Sequence, residues 1–248
     1  MSKNIFLAGA TGVIGSTLVK LLVDDGYTVF GSTRREDRAD YLRALGAEPV
    51  VVDVFDREKL CDALIQIKPS AVVHQLTDLP RGLDPAQMAA AIARNARVRT
   101  EGTGNLIAAM LESGCESIVA QSIAWAYAPA TKPYEEDAEL DINAEGLRQV
   151  SVGGIVALEQ QVLHTPQIHG AVLRYGHLYG PGTGTDQPSG ASPLHVVAAA
   201  YAALLALRLN VRGVFNVAEE NAEVTSEKAR RVLGWVPELR LSHALSVQ

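Results

Sequence analysis

Short apolar runs rich in β-branched residues alternate along the chain with longer stretches whose apolar positions recur every three to four residues. This alternation predicts strands of a parallel sheet joined by crossover helices that cover both of its faces. Strands are expected at Asn4–Ala8, Thr28–Ser32, Pro49–Asp53, Ala71–Gln75, Ser117–Gln121 and Ala171–Tyr175, and helices near Val13–Asp24, Glu36–Leu45, Arg57–Ile67, Pro85–Glu112 and Gly154–Leu163. Turn chemistry fences several of these helices, with Gly26, Gly46, Pro69 and Gly114 standing just past four of the helix ends.

Past Tyr175 the texture changes to a Gly/Pro-rich loop, Gly180–Gly190. A helix-like run, a short strand Val214–Val217 and a basic helix near Ser226–Leu233 complete the chain. The expected organisation is a core over residues 1–176 and a small C-terminal substrate lobe over 177–248, packed on the carboxyl ends of the strands, where open α/β sheets bind ligands.

Directly after the first strand stands Gly9-Ala-Thr11-Gly12-Val13-Ile14-Gly15, from which an apolar helix opens. Glycines allow a tight turn and close backbone approach to a diphosphate, while free N–H groups and the dipole at a helix start attract it. Because a strand, a helix and a second strand surround these glycines, the segment predicts a dinucleotide site over Gly9, Thr11, Gly12, Val13, Ile14 and Gly15. Composition narrows the ligand class further. With a formal charge of −6 the chain lacks the basic surface of an electrostatic nucleic-acid binder. Its 48% hydrophobic residues suffice for a sizeable core. Two cysteines, Cys61 and Cys115, make no disulfide framework, and reduced thiols are the simpler reading. Met1–Asn4 leads only to a short apolar run, and Val196–Leu207 falls below the roughly 20 residues of a membrane span, so a cytoplasmic protein with no membrane partner is expected. No spacing of histidines or cysteines suggests a metal site.

The three-residue glycine spacing resembles that of the extended, epimerase/dehydratase-like branch of the short-chain dehydrogenase/reductase superfamily. The resemblance runs on through Asp53-Val54, Val72-Val73-His74, Gly102-Thr103, Ser122-Ile-Ala-Trp-Ala-Tyr127, Leu173-Arg174, Tyr179-Gly180-Pro181, Asn216-Val217 and Leu233-Gly234-Trp235. It implies a Rossmann-like doubly wound parallel sheet and an NAD(P)-binding oxidoreductase acting on a small organic molecule. It also places Asp53 and Val54 by the adenine, and suggests a homodimer through the long Pro85–Glu112 helix. At the end of the second strand, where a carboxylate would select NAD, stand Thr33, Arg34 and Arg35; a hydroxyl and two guanidiniums suit the 2′-phosphate of NADP, with NAD as the alternative.

Hydride-transferring members of this superfamily use a Tyr-x-x-x-Lys pair, the lysine lowering the phenol pKa. Here no lysine lies four residues after a tyrosine. Aligned on Glu159, Ser151 stands in the tyrosine position and Ile155 in the lysine position, while Arg99 replaces the helix asparagine. Anchored on Tyr127, the remaining hydroxyl position falls on Ile123, and a shift of one residue restores Ser122.

Other groups must then move protons, if any do. Period two at the end of the sixth strand points Tyr175, His177 and Tyr179 to one side, with His177 the first candidate for a titrating group and Tyr175 and Tyr179 as substrate contacts. Tyr127 is a candidate phenol donor if a cation, nominated as Arg99, lowers its pKa; Arg99 is also a candidate contact for a substrate carboxylate or phosphate. His195 is expected to be structural. Two further readings remain open: a dinucleotide-binding sensor or regulatory protein without turnover, and a non-redox isomerase or lyase on the same scaffold.

Overall fold

The computed structural model describes residues 3–80, 82 and 84–241. Seven strands form one parallel sheet: β1 (Asn4–Ala8), β2 (Thr28–Thr33), β3 (Glu48–Val51), β4 (Ala71–His74), β5 (Ser117–Ile123), β6 (His169–Tyr175) and, as the seventh, β9 (Gly213–Val217). Their order across the sheet is β3-β2-β1-β4-β5-β6-β9. Chain direction across the sheet reverses between β1 and β4, which pair through Ile5↔Ala71 to Ala8↔His74. Ligands of doubly wound sheets bind at such a switch point.

Alternate residues of the central strands are buried on opposite faces. Ile5, Leu7, Val73, Val119 and Leu173 face one core, and Phe6, Ala8, Val72, Ile118 and Val172 face the other. This two-sided burial explains why the strands read as continuous apolar runs. The first face is covered by α1 (Val13–Asp24), α2 (Ala39–Ala44), α7 (Val196–Arg208) and α8 (Glu227–Leu233). The second is covered by α3 (Arg57–Ile67), α5 (Thr103–Ser113) and α6 (Gly146–His164). Asp56 caps α3 by accepting from the Lys59 N–H at 3.2 Å, and Gly114, legible in the sequence as a helix end, closes α5 at φ +71°.

Three departures from expectation bear on function. The predicted Pro85–Glu112 helix is divided: α4 (Pro85–Arg97) runs through a widened π-type turn, Val98–Gly102, into α5. Helix α6 begins at Gly146 rather than Gly154. Part of the segment after Tyr175 enters the core instead of only packing over the strand ends, since β9 extends the main sheet beside β6 and α7 packs on α1. Only β7 (His177–Tyr179) and β8 (Pro193–His195) stand apart, as a small two-stranded parallel sheet. Among the described residues no helix is long and apolar enough to cross a membrane.

Candidate active site

The turn between β1 and α1 is built from steric necessity. Gly9 has φ +88°, and a Cβ there would stand 2.7 Å from the Gln75 carbonyl oxygen. A Cβ on Gly15 would stand 2.1 Å from the Gly9 oxygen, so α1 leaves the turn in contact with the backbone beneath it. The Gly12 N–H donates to the Gly9 carbonyl at 3.0 Å, the Gly9 N–H donates to Ser32 Oγ at 3.3 Å, and no side chain caps α1. Its first N–H groups therefore remain available to an anion.

In front of this turn lies a crevice of about 160 Å³, walled by Gly9, Thr11 and Gly12, by Ser32, Thr33 and Arg34 at the end of β2, by Val52, Val54 and Phe55 after β3, and by Gln75 to Asp78 after β4. Of the residues expected at a cofactor, Gly9, Thr11, Gly12, Thr33, Arg34 and Val54 line it. Ile14 and Gly15 are buried behind the turn. Val13 instead meets the glycine-rich loop, where a Cβ on Gly182 would lie 3.4 Å from its side chain. Asp53 turns away to accept from the Phe55 N–H at 3.0 Å, and Arg35 pairs with Asp37 on the surface. Thr33 Oγ1 accepts from the Arg35 N–H at 3.2 Å, which shapes the turn that presents Arg34. Gln75, Leu76, Thr77 and Asp78 were missed by sequence reasoning; their signal was their place just past β4, at the switch point. The Gln75 carboxamide is sealed, and neither of its polar atoms has a hydrogen-bond partner. Glycines that admit no side chain and a helix start without a cap together fit a dinucleotide.

The catalytic candidates do not converge as expected. Ser122 Oγ donates to Glu159 Oε1 at 2.8 Å, and Arg174 grips the same carboxylate through Nε at 3.0 Å and Nη2 at 2.7 Å. Arg174 Nη1 then donates to Tyr127 Oη at 2.8 Å, and the phenol donates to Asn216 Oδ1 at 2.6 Å. Ser122 and Tyr127 thus belong to one buried network that ties β5, β6, α6 and β9 together. The guanidinium beside Tyr127 is that of Arg174, not Arg99, and burial pushes the phenol pKa up in spite of it. A phenol so held is a poor proton donor.

The period-two expectation also fails, because β6 ends at Tyr175 and Gly176 starts a new direction. Tyr175 turns into the core and donates to the Ala199 carbonyl at 3.1 Å. Tyr179 donates to Glu219 at 2.7 Å and stands edge-on to His195, whose Nδ1 caps α7 by accepting from the Val197 N–H at 3.2 Å. His177 is half-buried and stacks on Trp125 at 4.2 Å, and burial holds its imidazole below the usual histidine range. Trp125 itself, 40% exposed just past the carboxyl end of β5, is an exposed aromatic side chain that the sequence reading passed over. At the pattern's tyrosine and lysine positions, Ser151 is half-buried and Ile155 packs against Ala126 and Val152.

Arg99 occupies the widened turn between α4 and α5 and is only 7% exposed. Among the described residues no group of three or more His, Cys, Asp or Glu side chains comes together to hold a metal ion.

Residues 5–214 match the family described as NAD dependent epimerase/dehydratase. A 3-diazoavenalumate denitrifying reductase from a Streptomyces species is 37% identical over a 269-residue alignment covering 98% of this chain and 86% of that protein. Among solved structures, the UDP-glucose-4-epimerase of Stenotrophomonas maltophila, with bound NAD and formylated UDP-arabinopyranose, superposes with a TM-score of 0.77 at 18% identity, over 96% of this chain and 94% of the other. A UDP-glucose 4-epimerase from Thermotoga maritima, with UDP-glucose, gives the same values. At such identities these two structures speak for the fold alone.

Proposed function

The chain belongs to the NAD dependent epimerase/dehydratase family, and from that premise we propose that it is an NADPH-dependent reductase that replaces the nitrogen of an aryl diazo compound with hydrogen. The observation that carries this reading is an intact nucleotide crevice beside a catalytic centre without the phenol–ammonium couple. Epimerisation, or reduction of a carbonyl, must move a proton on or off an oxygen as hydride moves. Here Tyr127, Tyr175 and Tyr179 each hold their phenol in a hydrogen bond within the protein, and Ser151 has no neighbouring lysine to acidify it. Displacement of nitrogen needs no proton: a reduced dinucleotide, when bound, supplies hydride to the ring carbon, the carbon–nitrogen bond breaks with its electron pair leaving on dinitrogen, and aryl–N₂⁺ plus hydride gives aryl–H plus N₂.

The chain's own residues then have three tasks. The Gly9–Gly15 turn and the start of α1 hold the diphosphate. Arg34 and Thr33 meet the adenosine end, where a half-exposed guanidinium, 3.9 Å from the Asp78 carboxylate across the crevice, and the lack of a carboxylate at the end of β2 itself favour a 2′-phosphate. Trp125, stacked on His177, offers an aromatic face to an aryl ring, and Gly182 and Gly190 bring the loop over Val13 and His177, limiting water. A sensor without turnover is not favoured, because the reductase relative is matched over 86% of its length.

The test is isotopic. With NADPH deuterated at C4 and an arenediazonium carboxylate as substrate, deuterium is expected at the vacated ring carbon with one dinitrogen released per NADPH oxidised. With unlabelled NADPH in D₂O the product ring should carry none. Label arriving from solvent, or turnover of carbonyl compounds in preference to diazo compounds, overturns the reading.

A further inference from the structure

Among the described residues the buried charged side chains are Arg99, Glu159 and Arg174, two cations and one anion. The anion is fully engaged, since Arg174 bonds to both carboxylate oxygens and Ser122 to one of them. Among the described residues Arg99 has no hydrogen-bond or ion-pair partner, and Glu159 reaches it only through longer-range attraction. A buried guanidinium without a partner is strongly unfavourable, and its persistence calls for a partner from outside the fold, a water, an ion or a ligand. The only described side-chain polar atoms both sealed and unpartnered are those of Gln75, so the Arg99 nitrogens still touch space that a solute can reach.

Its placement says which ligand. The widened turn Val98–Gly102 carries Val98 to the wall of the dinucleotide crevice, while Arg99, the next residue, turns toward α6. There its Cδ would lie 3.5 Å from a Cβ on Gly154, whose lack of a side chain leaves room for the arginine stem. Gly154 is followed by Ile155, where the family pattern has its lysine. His74, at the end of β4, lies within the field of the guanidinium. The cation missing from α6 is thus supplied beside it, from the neighbouring helix.

We propose that Arg99 is a specificity-determining residue that pairs with a carboxylate on the substrate, its planar fork matching the two oxygens. A guanidinium fork binds a carboxylate bidentately, as an ammonium cannot. The inference rests on the reductase reading for its substrate class. The dinucleotide diphosphate is not the anion meant, because the Gly9–Gly15 turn and the start of α1 serve it and Arg99 does not line that crevice.

The test reads binding, so that failure of diazo reduction and failure of this inference are distinguishable. NADP⁺-loaded protein is titrated calorimetrically with 4-hydroxycinnamate and with its methyl ester, neither of which carries a group to be displaced. The wild type should bind the acid on the order of tenfold or more tightly than the ester. Arg99→Met should abolish that preference, Arg99→Lys should keep part of it, and NADP⁺ affinity should stay within about twofold in both. Without ligand, Arg99→Met should melt at a higher temperature than the wild type, because an unpaired buried charge is gone; a merely structural arginine would move melting the other way. Equal binding of acid and ester by the wild type, binding of neither, or a loss of NADP⁺ affinity matching the loss of acid binding overturns the proposal. Should Arg99→Met not fold, the wild-type and Arg99→Lys comparisons decide it.

Discussion

His74 carries a proton-linked cost that its surroundings make calculable. Its Nδ1 accepts from the Leu76 N–H at 3.2 Å, so in the neutral ring Nε2 is the donor to Thr103 Oγ1 at 3.0 Å. Burial first, and the Arg99 charge second, lower its pKa to about 4. In the unfolded chain the imidazole titrates near 6.5, so between these values the unfolded state takes up a proton that the folded state refuses. The contribution is present above about pH 6.5 and is lost as pH falls toward 4, by about 3 kcal/mol. Urea unfolding at pH 7.5 and pH 4 should show this loss, and His74→Gln should lose less across the same interval. The glycines of the β1–α1 turn were legible because their requirement is local: any side chain at Gly9 or Gly15 meets backbone. The partner of Tyr127 was not, since nothing in the spacing between Tyr127 and Arg174 announces that the fold brings them to 2.8 Å.

At the scale of the element, the proposed preference for NADPH rests on one hydroxyl and one guanidinium at the end of β2. Arg34→Ala should lower the ratio of NADPH to NADH efficiency by about tenfold, and Thr33→Asp should favour NADH through a ribose hydrogen bond and repulsion of the 2′-phosphate. Initial rates with the two dinucleotides check this, and an unchanged ratio in both variants would return the chain to NAD. Strand and helix identities followed from apolar period and turn residues. What did not follow were features whose cause is tertiary. The widened turn at Val98–Gly102 lies within a continuous helical pattern, and Gly153-Gly154 reads as the start of α6 although the helix runs through it, because Gly154 lets α4 approach. The β7–β8 pair is three residues per strand, too short for a periodic signal.

For the whole molecule, α4 and α6 lie side by side, with Leu147 and Val150 of α6 exposed at 52% and 40%. This is where a homodimer, proposed from the long-helix resemblance, would form; light scattering should give twice the chain mass of 26.4 kDa, and Leu147→Glu should return the mass to a single chain. A persistent monomer in the wild type would refute it. The division into core and lobe was the least legible part of the architecture, since the sequence shows where texture changes but not that the late strand returns to the sheet. That return has a consequence for biosynthesis. A ribosome makes the chain from its N-terminus, so β6 emerges before β9, and its hydrogen-bonding edge from Ala171 to Tyr175 stays bare until residues 213–217 arrive. Nascent chains stalled within α7 should accordingly recruit chaperones, and release of β9 should end that dependence.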